Sequence, residues 1–235
     1  MGNLYLVRHG QASFGAEDYD QLSEQGQRQS VRLGEYFAHK GIVFEAALRG
    51  TLRRHAQTYD GICTGYAAEL TRKSGSAEPP RIPDAAPWPG LNEYDADAVI
   101  AAIHPKPLEK PDSPEMYRMH FRLLREGLAA WMAGTASPVG MPSFADFRAG
   151  IVSALDHVKS THSGNVLMVS SGGPIATAVS YVLGAAADVT IDLNLRIRNS
   201  AVTEFVFTPK RHMLLTYNTI PHLDHPDHAS WITFA

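Results

Sequence analysis

The chain has 235 residues with 44% hydrophobic and 19% charged content, enough to bury one substantial core, and α/β domains of this size commonly stay undivided. A formal net charge of -3 with a pI near 6.4 excludes a general basic field for nucleic acid, so attraction for an anionic ligand must come from locally placed arginines. Cys63 is the only cysteine, which excludes an internal disulfide and the usual zinc spacing, and no apolar run approaches the roughly 18 residues of a membrane span. The N-terminus lacks a charged region followed by a long apolar stretch, so a cytoplasmic protein is expected.

In chain order, the apolar run Leu4-Tyr5-Leu6-Val7 predicts a buried strand over 3–7, and Arg8-His9-Gly10 follows where it ends, the edge at which open α/β folds bind ligands. A guanidinium there can hold two phosphate oxygens in its fork. A neighbouring histidine can attack phosphorus through a neutral ring nitrogen once its other nitrogen is tied up. Ser23 is placed to cap a helix that runs to about Lys40, where Gly41 stops it behind His39 and Lys40. Residues 43–48 predict a second strand. A second helix from about Leu52 puts Arg54 in its first turn, at the same edge as Arg8.

From Thr71, Ser74-Gly75-Ser76 and the prolines at 79, 80, 83, 87 and 89 predict a long surface loop leading to Glu93. Met116, His120, Leu123, Leu124, Gly127, Leu128 and Trp131 share one face of a helix from Pro114, which residues 134–142 break, and residues 94–142 read as an inserted helical cap. Met116 and Met119 read as packing within it. Ser143 caps a helix with Phe147, Ile151, Leu155 and Val158 at helical spacing, and Gly164-Asn165 turns into a central strand over 166–170. Gly172-Gly173-Pro174 then opens a helix whose backbone N–H groups can point at an anion. Strands over 201–208 and 213–217, joined by Pro209-Lys210-Arg211, complete an α/β alternation.

Further motifs follow the opening Arg8-His9-Gly10. They are Asp20-Gln21-Leu22-Ser23-Glu24-Gln25-Gly26-Gln27-Arg28-Gln29, Leu52-Arg53-Arg54-His55-Ala56-Gln57-Thr58, Gly90-Leu91-Asn92-Glu93, Val166-Leu167-Met168-Val169-Ser170-Ser171-Gly172-Gly173, Arg198-Asn199-Ser200 and Tyr217-Asn218-Thr219. The series resembles the histidine phosphatase superfamily, also called phosphoglycerate mutase-like, over nearly the whole chain and in the family's order. That family's signature reads R-H-G, then L-x-R-A-x-Q-T, then E, then S-H-G-G. The resemblance implies a three-layer αβα sandwich with a central, mostly parallel sheet, one domain over 1–235, and phosphomonoester hydrolysis without a metal or cofactor. His9 would become a phosphohistidine while Arg8 and Arg54 hold the oxygens of the transferring group. Glu93 matches the general acid that protonates the leaving oxygen and then takes a proton from water. Ser171 and Gly172 would also face the phosphate, and the expected partner is a small phosphorylated substrate or phosphate itself.

Ser171 departs from the signature, because the family places a second active-site histidine there. A hydroxyl is neutral and shorter, and removing one preorganised donor costs about 10² to 10³ in rate, so slow turnover is expected rather than none. If the hydroxyl merely fills that place, Ser171→His should raise the rate, with Gly172-Gly173 leaving room for the ring. A serine-hydrolase elbow is disfavoured, since Val169 stands where its first glycine belongs. Phosphoglycerate mutase activity is disfavoured too, because Phe14-Gly15-Ala16-Glu17-Asp18 is acidic and residues 94–103 lack any cation. A phosphate-binding or regulatory module without turnover is the rival from another class. His222, His225 and His228 are expected to be solvated rather than metal ligands, as Pro221 and Pro226 oppose a shared helix. His55, His104 and His120 are expected at the surface or in the cap, and Arg53 as an exposed helix cation.

Overall fold

The computed structural model describes every residue except 14–19, 76–79, 105, 107, 110, 111 and 235. Among the described residues, six segments extend into strands: β1 (Gly2–Arg8), β2 (Phe44–Arg49), β3 (Ala85–Pro87), β4 (Asn165–Ser170), β5 (Val202–Phe207) and β6 (His212–Thr219). They form one sheet in the order β3-β2-β4-β1-β5-β6. The first four run parallel, whereas β5 and β6 pair antiparallel along the far edge.

Parallel strands are buried on both faces, which is why β1 and β4 read as nearly unbroken apolar runs. Leu4, Leu6, Leu48, Val166, Met168, Phe205 and Phe207 point to one face, and Val7, Ala47, Leu167, Val169 and Val202 to the other. Two helices cover the second face, α1 (Glu24–His39) and α2 (Arg53–Ser74), through Leu33, Phe37, Tyr59 and Ile62. The first face lies under α5 (Phe144–Thr161) and α6 (Gly172–Leu183), through Leu155, Val158, Ile175 and Val179. The result is the expected three-layer αβα sandwich around a mostly parallel sheet. Each fully buried Phe or Leu contributes about 1.5–3 kcal/mol of burial free energy. Helix starts follow their caps: the Ser23 hydroxyl accepts from Gly26 N–H at 3.1 Å and that of Ser143 from Asp146 N–H at 3.1 Å. After α1, Gly41 takes the left-handed φ of +69° that its missing Cβ permits.

Four elements differ from the sequence expectation. The segment after Thr71 is not one long loop, since α2 continues to Ser74 and Ala85–Pro87 pairs with β2 as an edge strand. An edge strand tolerates proline because its outer side needs no ladder donor. Part of that segment, 76–79, lies outside the described residues, as does the acidic stretch Phe14-Gly15-Ala16-Glu17-Asp18. The sequence also hid the short helices α3 (Ala96–Ala101) and α7 (Ala187–Asn194), the latter opening at Ala186 without a side-chain cap. Helix α4 (Pro114–Met132) follows the expected stripe, and its Leu124, Leu128 and Trp131 enter the same apolar cluster as α5 and α6. Met119 is a correction: it is 40% exposed beside Tyr117 and Phe121 rather than packed. Among the described residues, no helix is long and apolar enough to cross a membrane.

Candidate active site

The carboxyl ends of β1 and β4 set the position of His9. Its backbone N–H donates to Ser170 O at 2.9 Å and its carbonyl accepts from Ser200 N–H at 3.1 Å, so the residue is fixed from both sides. In the ring, Nδ1 lies 2.7 Å from Gly10 O. A carbonyl only accepts, so Nδ1 carries the proton and Nε2 keeps its lone pair. Burial, followed by the charges of Arg8 and Arg54, holds the ring well below the usual histidine range and therefore neutral. The guanidinium of Arg8 donates to Ile197 O at 2.5 Å, and that of Arg54 pairs with Asp20 at 2.8 Å. The second oxygen of Asp20 accepts from Arg53 N–H at 2.9 Å, so one carboxylate fixes both the start of α2 and the direction of Arg54. Thr58 ties α2 to the nucleophile loop: it accepts from Gly10 N–H at 3.1 Å and donates to Arg54 O at 2.7 Å.

Glu93 reaches the same region from beyond the turn at Pro89–Leu91. Both of its oxygens accept from Gly173 N–H, at 3.1 and 3.2 Å, and Oε1 also accepts from Tyr94 N–H at 3.2 Å. A Cβ at 173 would collide with the carboxyl and with the Tyr94 ring, so only glycine lets it lie on the N-terminus of α6. Burial raises the pKa of Glu93, against the opposing pull of the Gly173 N–H, Arg8 and Arg54. The two arginines thus act electrostatically on both His9 and Glu93, the pair expected to attack and to donate a proton. Glu93, with Asn92, Tyr94, Asp95, Met141 and Asp146, also borders a cavity of about 310 Å³ whose described lining contains no lysine or arginine.

Ser171 is fully buried at the N-cap of α6, and the space beside it is occupied. His55, expected at the surface or in the cap, turns inward from the first turn of α2 and is 0% exposed. Its Nε2 lies 2.7 Å from Ser171 Oγ, and its ring centroid is 5.8 Å from that of His9. The ring fits because Gly50 lacks a side chain: a Cβ there would collide with Nδ1. Burial, with Arg54 and Arg49 nearby, pulls the His55 pKa down to about 3. The Gly172-Gly173 pair does not leave the room expected of it. A Cβ at 172 would come within 2.8 Å of Asn194 Oδ1 and 3.0 Å of Ile197 Cγ2, while Glu93 takes up the N–H of Gly173. Ser171→His alone would therefore press against His55 and is expected to slow the protein, not accelerate it.

The other histidines divide. His222 is a correction, being buried with Nε2 2.8 Å from Ser200 Oγ rather than solvated. His225 is exposed beside Asp227, and His228 sits edge-on to Trp231 at 4.8 Å between centroids. Pro221 and Pro226 each open a separate short 3-10 helix, so the three rings share no helix face. Among the described residues, no group of three or more His, Cys, Asp or Glu is gathered as a metal ion requires. His104 and His120 are half-buried within 94–142, and Arg53 is exposed at the start of α2.

The family model described as histidine phosphatase superfamily (branch 1) matches residues 4–79 and 103–220. No curated protein matches the chain significantly. Solved structures share its fold at low identity. A phosphoserine phosphatase from Entamoeba histolytica, in complex with 3-phosphoglyceric acid, is 18% identical with a TM-score of 0.62, covering 95% of this chain and 100% of its own. A mycobacterial glucosyl-3-phosphoglycerate phosphatase is 20% identical, with a TM-score of 0.59 and coverage of 93% and 99%. A phosphoglycerate mutase from Bacillus anthracis is 18% identical, with a TM-score of 0.59 and 94% of both chains covered.

Proposed function

Because the chain belongs to the histidine phosphatase superfamily (branch 1), we propose that it is a metal-independent phosphatase that hydrolyses phosphomonoesters through a phosphohistidine on His9. The observation that carries this reading is the state of His9: neutral, its Nδ1–H fixed on Gly10 O, and flanked by two arginines whose charges also reach Glu93. In the first step Nε2 bonds to phosphorus as the bond to the leaving oxygen breaks, and the carboxyl proton of Glu93 passes to that oxygen. In the second, water gives its proton to the Glu93 carboxylate and attacks phosphorus, and the P–N bond breaks to release phosphate and regenerate His9. Arg8 and Arg54 carry the charge on the phosphoryl oxygens, the task a divalent cation performs elsewhere, which is why no metal is invoked.

Residues 94–142 act in this reading as a cap, entered at Tyr94, whose N–H donates to Glu93 Oε1; the described lining of the cavity beyond Glu93 includes neither His9 nor the two arginines. Residues 94–103 supply no cation for a substrate carboxylate, which supports hydrolysis of a small phosphorylated molecule over phosphoglycerate mutase activity. The protein is read as a single-domain, cofactor-free cytoplasmic enzyme. Incubation with p-nitrophenyl phosphate should leave acid-labile phosphate on His9 and release nitrophenolate. Phosphate binding with neither product would instead identify a binding or regulatory module.

A further inference from the structure

Positions 55 and 171 depart from the family signature as a pair. The signature has alanine in the first place and histidine in the second, whereas this chain has His55 and Ser171. An imidazole has been removed from the start of α6 and another supplied from the start of α2, within 2.7 Å of the serine that replaced the first. Resting on the phosphohistidine reading above, we propose that Ser171 and His55 together do the work of the missing second histidine. Ser171 Oγ–H donates to a phosphoryl oxygen, and His55 Nε2–H donates to Ser171 Oγ and holds the hydroxyl in that direction.

The direction of the bond follows from what surrounds the ring. His55 Nδ1 is buried and has no hydrogen-bond partner. With the proton on Nε2, the unmatched group is an acceptor lone pair; with the proton on Nδ1, it is a buried N–H, the rarer and costlier orphan. The first tautomer also leaves the serine proton available to a ligand. The ring centroid is 5.8 Å from that of His9 and its Nε2 is 2.7 Å from Ser171 Oγ, so the pair stands beside the nucleophile. Arg54, whose guanidinium is placed for the same phosphoryl group, immediately precedes His55 on α2, so a single helical turn sets both. His55 is a positioning residue here and Ser171 the group that touches substrate.

The test uses the full-length protein with His55→Ala, His55→Gln, Ser171→Ala, the double alanine variant, and the exchange His55→Ala with Ser171→His. Phosphorylation of His9 by p-nitrophenyl phosphate is followed in a single turnover, and inhibition by orthovanadate, which mimics the five-coordinate transition state, is compared with inhibition by inorganic phosphate. His55→Ala and Ser171→Ala should each slow phosphorylation by roughly 10²-fold and weaken vanadate more than phosphate, and the double variant should be no slower than the slower single. His55→Gln, which keeps a neutral donor, and the exchange, which restores the family arrangement, should both recover to within about tenfold of the wild type. A purely structural His55 would lower the denaturation midpoint without this split between vanadate and phosphate. Wild-type phosphorylation rates in His55→Ala, multiplying losses in the double variant, or an exchange as slow as His55→Ala would each overturn the proposal while the phosphohistidine reading stands. A wild-type protein that neither phosphorylates His9 nor binds vanadate overturns both.

Discussion

Two buried serine–histidine pairs lie on either side of His9, and they are nearly the same in local chemistry. His55 Nε2 is 2.7 Å from Ser171 Oγ, and His222 Nε2 is 2.8 Å from Ser200 Oγ. Burial brings both histidines down to about 3, and in both Nδ1 is buried with no partner. What differs is the rest of each serine. Ser171 stands at the N-cap position of the helix whose Gly173 N–H holds Glu93, and its histidine stands beside the His9 ring. Ser200 holds a left-handed φ of +55° and gives its backbone N–H to the His9 carbonyl. Closely similar pairs are therefore set in different places: on the proposal above one would address the reacting group, while the other adjoins the backbone N–H that holds the His9 carbonyl.

The largest effect should come from His9, which both pairs address. His9→Ala should abolish turnover and acid-labile phosphate incorporation, and retained hydrolysis would separate the two pairs from any common chemistry. Next comes Glu93→Gln, which keeps the bonds to Gly173 and Tyr94 but removes the transferable proton. Hydrolysis of an alkyl phosphate, whose leaving group needs that proton, should fall by about 10² to 10⁴, with much less loss for p-nitrophenyl phosphate. Equal losses for both substrates would show that Glu93 is not the acid.

The comparison itself is sharpened by Ser200→Ala against Ser171→Ala. Removing the Ser200 hydroxyl leaves a buried imidazole without its partner and should cost about 1–3 kcal/mol of stability while kcat stays within a few-fold. Ser171→Ala strips buried His55 of its partner in the same way and should lose comparable stability, but unlike Ser200→Ala it should also slow phosphorylation by roughly 10²-fold. Matching rates for the two variants would break the distinction.

Smallest in its effect on turnover is a pH dependence of stability. His222 and His55 have folded values near 3 against an ordinary value near 6.5, so the unfolded chain binds protons that the folded chain refuses. Stability is then unaffected above about 6.5 and falls as the pH drops from there toward 3, by up to about 1.4 kcal/mol per pH unit for each ring. Glu93 has the opposite sign, its contribution being lost as pH rises through its elevated value. His222→Gln, which can keep the bond to Ser200, should flatten the acid limb between pH 6 and 4 by about one proton. An unchanged slope would mean that His222 takes up its proton without unfolding.

Much of this arrangement is legible in the sequence because it follows from local periodicity and strand ends. Arg8 and His9 terminate an apolar run, Arg54 falls in the first turn of a helix that starts at the matching edge, and the α/β alternation brings those edges together. His55 was not legible in that way. A lone histidine in a first helical turn has no periodic signal, and its inward course depends on the missing Cβ of Gly50 and on Ser171, 116 positions along the chain. The available signal was the coincidence of two departures from one family signature, an added histidine and a lost one. Strand β3 was hidden because its Pro87, tolerated at an edge, and the prolines around it read as loop, and His222 because its burial is set by contact with distant Ser200 rather than by its own neighbours.

The central claim is that phosphoryl transfer occurs at His9 Nε2 with the Ser171–His55 pair as an additional donor, and the most direct measurement is a crystal structure with orthovanadate. The expected result is vanadium bonded to His9 Nε2, its equatorial oxygens on Arg8, Arg54 and Ser171 Oγ, and His55 Nε2 still on that hydroxyl. Vanadium bonded to Ser171 Oγ, or seated away from His9, would contradict the account.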